Sequence, residues 1–252
     1  MARKFTRLFR PENFFQDQTI SLSIEQSHHL NRVLRLKKND HIYVFNASNG
    51  QWQATIHEDC KKQTIIKIDH NTRPPETESP LKLFFTPLKS RAMDFLIEKA
   101  TELGVTSFHP FWSERTQGRD FKQERYKIIA QEAAEQSERL SLPFFQSPVS
   151  LQQLITQWNC KETIFIGDER RNAISLFDYL QTFSLTETKD STKTSMIVMI
   201  GPEGGFTTQE FNLLQSQSFC RFVSLSQTIL RSETAALCAL SLMQAKIYTR
   251  QN

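Results

Sequence analysis

The sequence has few cysteines and no long apolar run, and both shortages exclude classes of protein. Its four cysteines form neither a CxxC pair nor a cluster with histidine, which argues against a structural zinc site and a disulfide framework. The apolar run at residues 196–200 is far too short to span a bilayer. We therefore expect a cytoplasmic protein of a reducing compartment, with no metal and no membrane partner.

Glycine is also scarce, with only seven copies, yet three of them lie within residues 201–205. A scarce residue that is used so densely marks a special backbone site. The remaining composition, 38% hydrophobic and 23% charged, is that of a folded protein, and 252 residues suffice for one large or two modest domains.

The small net charge of +4 is unevenly placed along the chain. Residues 1–40 hold eight Lys and Arg against four Asp and Glu, whereas the remainder holds 23 of each sign. A local cationic surface is typical of nucleic-acid binders, although a solvated basic face has the same composition. Within this stretch Arg32 and Arg35 share one helical face, which suits two cations that grip phosphates.

The first 70 residues predict a small β-barrel. Short alternating runs at 42–46, 51–57 and 63–68 are separated by polar turns, and residues 26–36 have the apolar spacing of one helix. Residues 71–80 contain three prolines and no apolar side chain, so they predict a linker.

Residues 81–252 predict an α/β domain with a parallel sheet. Near-continuous apolar strands alternate with helical patterns, as in a sheet that is covered by helices on both faces. The predicted strands are 81–86, 106–111, 163–166, 196–200 and 221–225, and the predicted helices are 90–103, 121–139, 207–217 and 232–248.

Two strand-to-helix turns of this domain are candidate ligand sites. Residues 201–206 follow a buried-type strand and precede Thr207, which forms a predicted capping box with Glu210. The turn lacks the pattern of a phosphate or dinucleotide loop, and a plain tight connection explains it equally well. In the second turn, Ser232 is a predicted N-cap and Glu233 complements the helix dipole. Arg231 opposes that dipole, so another role should justify it.

Six segments of the chain occur together and in order in one known family. The sequence resembles the bacterial 16S (small-subunit) ribosomal RNA uridine-N3 methyltransferases, the RsmE family of the SPOUT class. The resemblance covers nearly the whole chain, and the last two segments are highly specific as a pair. The six segments are 28–37, 99–105, 113–115, 132–139, 200–206 and 229–235.

The resemblance implies a PUA-like N-terminal barrel that helps to hold RNA and a SPOUT-like C-terminal domain with a deep trefoil knot. Only the resemblance supplies the knot, since knots are almost absent from protein folds. It also implies a homodimer in which the partner completes each site. The implied activity is methylation of uridine N3 in small-subunit ribosomal RNA, with S-adenosylmethionine as the cofactor.

The family's site residues map onto three loops, 167–170, 201–205 and 225–230. Two positions depart from the family pattern: Asn39 replaces a glycine, and residues 226–228 replace the usual Gly-Pro/Lys-Arg type of sequence. The predicted catalytic residues are Arg231 and Glu203. The predicted cofactor contacts are Gly167, Gly201, Glu203, Gly204, Gly205, Leu225, Ser226, Ile229 and Leu230. The predicted RNA contacts are Arg7, Arg10, Arg32, Arg35, Lys37, Lys89 and Arg91.

Two other functions stay open at this point. One is a related methyltransferase of the same class that acts on transfer RNA ribose, and the other is an RNA-binding relative without catalysis. The basic N-terminal region and the helix at 132–139 favour ribosomal RNA over transfer RNA. The presence of Glu203 and Arg231 argues against loss of catalysis.

Overall fold

The computed structural model describes residues 6–59, 63–158, 162–170, 173–182 and 195–251. The chain divides into two compact units, the first formed by residues 1–77 with 134–142, the second by residues 78–133 with 143–252. None of the helices within the described ranges combines the length and the apolar character needed to cross a membrane.

The first unit is a five-stranded sheet around one apolar core. Its strands pair in the order β1-β3-β4-β5-β2, with β1 parallel to β3 and the other pairs antiparallel. Three register shifts between β4 and β5 mark bulges, which increase the twist that curls a sheet around its core. The elements are β1 (Arg7–Phe9), β2 (Thr19–Ser21), α1 (Ile24–His28), a π-helical turn (His29–Val33), β3 (His41–Asn46), β4 (Gly50–Asp59) and β5 (Thr64–Arg73).

Two sequence predictions need correction in this unit. The helix predicted over 26–36 is a short α-helix that passes into a π-helical turn, and this wider turn brings both Leu30 and Leu36 to the core. Strand β5 continues to Arg73, so the first three residues of the predicted linker are paired in the sheet. Asn39 has a φ of 72°, the left-handed conformation that asparagine tolerates in place of glycine.

The second unit is an eight-stranded sheet in which every pairing is parallel. The strand order is β11-β13-β10-β12-β6-β7-β8, and β9 also pairs with β7. The elements are β6 (Leu81–Phe85), α2 (Ser90–Glu102), β7 (Ser107–Trp112), α3 (Gln123–Gln136), β8 (Phe144–Phe145), β9 (Val149–Ser150), α4 (Leu151–Gln157), β10 (Ile164–Gly167), β11 (Ile174–Ser175), α5 (Leu176–Thr182), β12 (Met196–Ile200), α6 (Thr208–Gln215), β13 (Cys220–Ser224) and α7 (Ser232–Gln251).

Helices bury both faces of this sheet, as the continuous apolar strands predict. In β12, Val198 and Ile200 contribute to one apolar cluster, whereas Ile197 and Met199 contribute to another on the opposite face. The first cluster contains side chains of α2 and α7, and the second contains side chains of α4 and α6. The parallel α/β class is therefore confirmed for this unit.

Candidate active site

Three loops meet at one edge of the parallel sheet because they follow adjacent strands. Strands β13, β10 and β12 are neighbours, so their carboxyl ends lie side by side, where α/β sheets bind ligands. The loops after these strands line one cavity of about 1270 Å³. The cavity brings together all the predicted catalytic and cofactor residues, and Lys89 and Arg91 line it as well.

The glycine loop after β12 favours glycine at two positions, one for lack of space and one for its backbone conformation. A Cβ atom on Gly201 would lie 2.7 Å from the ring of Phe206, and Gly205 has a φ of +69°. The loop closes as a turn in which the Gly205 N–H donates to the Pro202 carbonyl at 2.8 Å. At these two glycines the loop therefore presents bare backbone to the cavity.

The predicted capping box beyond this loop is confirmed. Thr207 Oγ1 accepts from the Glu210 N–H at 3.3 Å, and Glu210 Oε2 accepts from the Thr207 N–H at 2.9 Å. Helix α6 thus begins at Thr208, and its start fixes the end of the glycine loop.

Gly167, at the end of β10, is packed between the end of β12 and the loop after β13. Its Cβ would lie 3.1 Å from the Ile200 side chain and 3.2 Å from the Leu225 side chain. These contacts are tighter than ordinary van der Waals packing, so a larger residue would push the loops apart. Glycine at this position allows the apolar wall of the cavity to close.

The loop after β13 is held by side-chain hydrogen bonds between residues that are close in sequence. Ser226 Oγ accepts from the Thr228 N–H at 3.1 Å, and the two hydroxyl groups lie 3.0 Å apart. These are the residues that depart from the family pattern, and their hydroxyl groups supply a local turn where the family has glycine. Cys238 Sγ lies 3.5 Å from the Leu225 carbonyl oxygen and ties this loop to α7.

Ser232 differs from its predicted role as an N-cap. It is the first residue of α7, and its Oγ donates to the Gly201 carbonyl at 3.4 Å instead of capping the helix. Arg231 occupies the position before the helix, where its carbonyl accepts from the Ala235 N–H at 2.8 Å. The start of α7 is therefore joined to the glycine loop.

The two predicted catalytic side chains are both exposed where they line the cavity. No ion pair connects Arg231 with Glu203, although both residues belong to the described part of the chain. Arg231 and Glu203 lie in neighbouring loops, so one structural role for Arg231 would be an ion pair with Glu203. The structure does not contain that ion pair. The guanidinium group remains available to a ligand.

Asp168 and Arg170, which both line the cavity, form an ion pair that the sequence did not predict. Three contacts of 2.7–3.1 Å join the Arg170 guanidinium to the Asp168 carboxylate. The guanidinium also lies 3.4 Å from the centroid of the Phe211 ring, a cation–π contact. Two of the charges that line the cavity therefore neutralise each other.

Sequence reasoning missed two contacts beyond the capping box, one made by Arg115 and one made by Glu210. Arg115 Nη1 donates to the Gly204 carbonyl at 2.7 Å, and Glu210 Oε1 accepts from the Glu114 N–H at 2.9 Å. Glu210 is buried, and both of its oxygens accept backbone hydrogen bonds. The turn after β7 is thus fastened to the glycine loop at Gly204 and to the first turn of α6. The presence of residues 113–115 among the family segments was the one signal of this role.

The cations predicted to contact RNA in the first unit separate into two groups. Arg32, Arg35 and Lys37 are exposed and stay predicted RNA contacts. Arg10 is only 16% exposed and is paired with Glu12 at 3.2 Å, so it is a weaker candidate.

Arg7 requires a correction, because it is buried and its side chain is fully engaged. Its guanidinium donates to the carbonyl oxygens of Ala134 (2.9 Å), Glu135 (3.2 Å) and Arg139 (2.7 Å). Its Nε donates to Gln51 at 2.8 Å. Burial, followed by the charge of Arg73, lowers the pKa of Arg7 to about 10, so the group remains charged at neutral pH. Arg7 therefore closes the C-terminal end of α3 and is not placed to contact RNA.

Family models and relatives agree with this architecture. Residues 75–244 match the RNA methyltransferase domain, and residues 23–69 match the RNA methyltransferase PUA domain. The chain is 30% identical over 239 residues to ribosomal RNA small subunit methyltransferase E of Rickettsia conorii, with 94% of each chain covered. The chain belongs to this family of RNA methyltransferases. The Synechocystis sp. member is 33% identical over 93% of this chain and 75% of its own length.

Solved structures of the methyltransferase family extend the likeness to three dimensions. The family member from Neisseria gonorrhoeae, solved with S-adenosyl methionine bound, matches with a TM-score of 0.83 at 30% identity. That match covers 96% of this chain and 97% of the other. A methyltransferase from Legionella pneumophila, solved in complex with the same cofactor, matches with a TM-score of 0.82 at 28% identity. The trefoil knot stays a prediction.

Proposed function

We propose that this RNA methyltransferase transfers a methyl group from S-adenosylmethionine to N3 of a uridine in small-subunit ribosomal RNA. The observation that carries the proposal is the single cavity in which the three predicted cofactor loops converge with Arg231. Relatives that share 30–33% identity over most of the chain are named as small-subunit ribosomal RNA methyltransferases, which supports the choice of RNA.

The residues around the cavity fit the proposed cofactor. A Cβ at Gly201 would collide with a neighbouring ring and a Cβ at Gly167 would be crowded, so the loops offer backbone groups and an apolar wall that includes Leu225. Such a surface suits the flat adenine ring. Glu169 and Glu203 add carboxylates that suit the positive charge of the cofactor. When bound, the cofactor supplies a methyl group on a positively charged sulfur.

The chemistry at uridine sets clear demands on the protein. Uracil N3 lies on the Watson–Crick edge, so the base must be unpaired or turned out of its stack before it reacts. The N3 proton has to leave, and the resulting negative charge spreads onto O2 and O4. The site therefore needs a proton acceptor and a cationic donor near those oxygens. Arg231, with its exposed guanidinium in the cavity, is the donor that we assign.

Exposed cations supply the surface for the RNA backbone. Lys89 and Arg91 line the cavity, and both side chains are exposed. Arg32, Arg35 and Lys37 form an exposed basic segment in the first unit, which includes the matched PUA domain. These five residues are the phosphate contacts that we propose, and the solvated-face alternative predicts no effect of their removal.

The active form that we propose is a homodimer. Large apolar side chains of the second unit, including Phe95 (45%), Phe177 (54%) and Ile229 (79%), are exposed, and two of them line the cavity. A second copy of the chain would cover such groups. Light scattering should show a dimer at micromolar concentration, and a fully active monomer would contradict the assembly.

Mass mapping of ribosomal RNA modifications, with and without this protein, tests the proposed function. One N3-methyluridine of the small-subunit RNA should disappear when the protein is absent and return when it is restored. Loss of a ribose methyl group in transfer RNA would support the alternative substrate instead. An unchanged modification map would reject the proposal.

The cofactor can be tested separately on the purified protein. S-adenosylmethionine or S-adenosylhomocysteine at about 100 times its dissociation constant should stabilise the fold by about 2.7 kcal/mol through mass action. NAD and ATP should leave the melting temperature unchanged. The absence of a shift at saturating cofactor would exclude this use of the cavity.

A further inference from the structure

One carboxylate in the cavity lacks a hydrogen-bond partner. Glu233, in the first turn of α7, lines the cavity, and its Oε2 is buried without a partner among the described residues. A buried acceptor that has no donor costs about 1–3 kcal/mol. Such an atom in a native structure calls for an explanation. Because no hydrogen bond holds Oε2 where it lies, the Glu233 side chain can turn toward the cavity and take the missing donor from a ligand there.

The other carboxylates of the cavity do not share this property. Asp168 is held by Arg170 through three short contacts. Glu169 and Glu203 are exposed, so water can satisfy their oxygens. Glu233 is therefore the cavity carboxylate that most requires a donor from a ligand.

The neighbour of Glu233 indicates which ligand donor fits. Arg231 lies two residues earlier and lines the same cavity, so a cationic donor accompanies the unpartnered acceptor. The Watson–Crick edge of uracil is complementary to such a pair, because N3–H is a donor flanked by the acceptors O2 and O4. Cytosine presents a lone pair at N3, which would face the Glu233 carboxylate unfavourably.

We propose that Glu233 accepts the N3 proton of the target uridine while Arg231 donates to an adjacent carbonyl oxygen. This inference rests on the proposed function, and it gives the site both its proton acceptor and its preference for uridine over cytidine. Glu233 complements the helix dipole as well, but that structural role leaves the buried Oε2 unexplained.

The proposed step is balanced in atoms and electrons. The N3 proton passes to the Glu233 carboxylate, and the N3 electron pair forms a bond to the methyl carbon. The pair of the broken carbon–sulfur bond stays on sulfur, which loses its positive charge. N3-methyluridine leaves, and the protonated Glu233 returns its proton to water.

Kinetics of the Glu233→Gln variant test the inference. Glutamine keeps the shape of the side chain but accepts a proton very weakly, so kcat should fall by roughly 10²–10⁴. Cofactor and RNA dissociation constants should stay within about threefold. Glu124→Gln is a matched control, because Glu124 also lies in the first turn of a helix, α3, but is 83% exposed and paired with Lys127. It should retain full activity.

Two readouts separate proton transfer from a structural role. An RNA with 5-fluorouridine at the target has a more acidic N3, so it should restore part of the rate lost in Glu233→Gln. Binding of RNA with cytidine at the target reports the same contact without turnover. The wild-type protein should prefer uridine by about tenfold, within the range for one base-edge pair, and the variant should lose this preference because its amide can donate to cytosine N3.

Three results would overturn the inference. Loss of cofactor affinity with normal turnover at saturation would assign Oε2 to the cofactor, and near-normal kcat would show that another group takes the proton. If Glu233→Gln fails to fold, equal binding of uridine and cytidine RNA by the wild-type protein would be decisive. A wild-type protein that fails to methylate uridine N3 would overturn the proposed function itself, whereas failure of the variant tests alone would leave that function standing.

Discussion

Two arginines at opposite kinds of helix end show how one residue type serves structure in one region and chemistry in another. Arg7 lies against the C-terminal end of α3, where it is 6% exposed and donates to three carbonyl oxygens. Arg231 stands before the N-terminus of α7, exposed to the cavity and without an ion pair among the described residues. The first cation complements a helix dipole, and the second opposes one.

The difference explains why each arginine is retained. Free carbonyl groups at a helix end need donors, so Arg7 is accounted for by the fold alone. Nothing in the fold requires a cation at the start of α7, so the position of Arg231 points to a ligand. Arg7 lies in the basic N-terminal region and Arg231 in one of the family segments, so the sequence predicted a functional contact for both. Only their surroundings in the structure distinguish the two roles.

Within this comparison of the two arginines, the largest expected effect is on catalysis by Arg231→Ala. Removal of one donor to a developing oxyanion should lower kcat by roughly 10²–10³, equivalent to about 2.7–4 kcal/mol. Cofactor affinity and melting temperature should barely change. Single-turnover rates at saturating RNA, calorimetry and thermal unfolding measure the three quantities.

Two other outcomes for Arg231→Ala would reassign the residue. Weaker RNA binding with normal turnover at saturation would indicate a phosphate contact. Combined loss of stability and cofactor binding would indicate a structural role, and the contrast with Arg7 would then fail.

The next effect is on stability and comes from Arg7→Ala. The change leaves buried carbonyl oxygens without donors and should cost on the order of 3 kcal/mol in the free energy of unfolding. The melting temperature should fall by roughly 6–12 °C for a chain of this size. Arg32→Ala is the control, because an exposed side chain of the same unit should change stability by less than about 0.5 kcal/mol. An Arg7→Ala protein of normal stability with weakened RNA binding would restore the original RNA assignment.

A smaller effect is expected for RNA affinity when Arg32 and Arg35 are both replaced by alanine. Loss of two phosphate contacts should weaken RNA binding by about tenfold at low salt. The slope of the logarithm of the binding constant against the logarithm of the salt concentration should become shallower by about two. Cofactor binding should be unchanged. The matched control is Lys127→Ala, an exposed cation of the second unit that is paired with Glu124. An unchanged salt slope would show that the basic segment is only a solvated face.

The last prediction concerns His109, whose buried side chain contrasts with the charged Arg7 because burial keeps it neutral. Burial, with a smaller contribution from the charge of Lys82, lowers the pKa of His109 from 6.5 to about 4. At neutral pH the folded protein therefore contains a neutral His109, whereas the buried Arg7 stays charged. The unfolded chain takes up the proton first as the pH falls, so stability should decline from about pH 6.5 towards pH 4.

Urea unfolding across this pH range measures that dependence. His109→Gln should reduce the slope, whereas the same change at exposed His70 should leave it intact. Equal slopes in wild-type and His109→Gln proteins would show that the imidazole does not titrate as its burial implies.

Much of the fold could be predicted because its main elements carry strong periodic patterns. The apolar strand at 196–200 and the helix that starts at Ser232 coincide with β12 and α7. The two-residue strands β8, β9 and β11 are too short to have a pattern, and tertiary pairing alone creates them. The knot cannot be inferred from periodicity at all.

The sequence predicted the part of the candidate site that depends on the backbone of the glycine loop. It did not predict the part that depends on side chains distant in sequence. Dense glycines marked the loop at 201–205, and the cavity includes it. The hydrogen bonds of Arg115 and Glu210 join residues about ninety positions apart, so no local pattern reveals them. The same reason hid the burial of Arg7, whose partners lie more than a hundred residues away.

Methyl transfer to uridine N3 can be tested on the reaction product itself. Purified protein is incubated with methyl-labelled S-adenosylmethionine and unmodified small-subunit ribosomal RNA, and the RNA is digested to nucleosides for chromatography and mass spectrometry. The label should appear in N3-methyluridine from one position. Label in a ribose, in another base or in no nucleoside would contradict it.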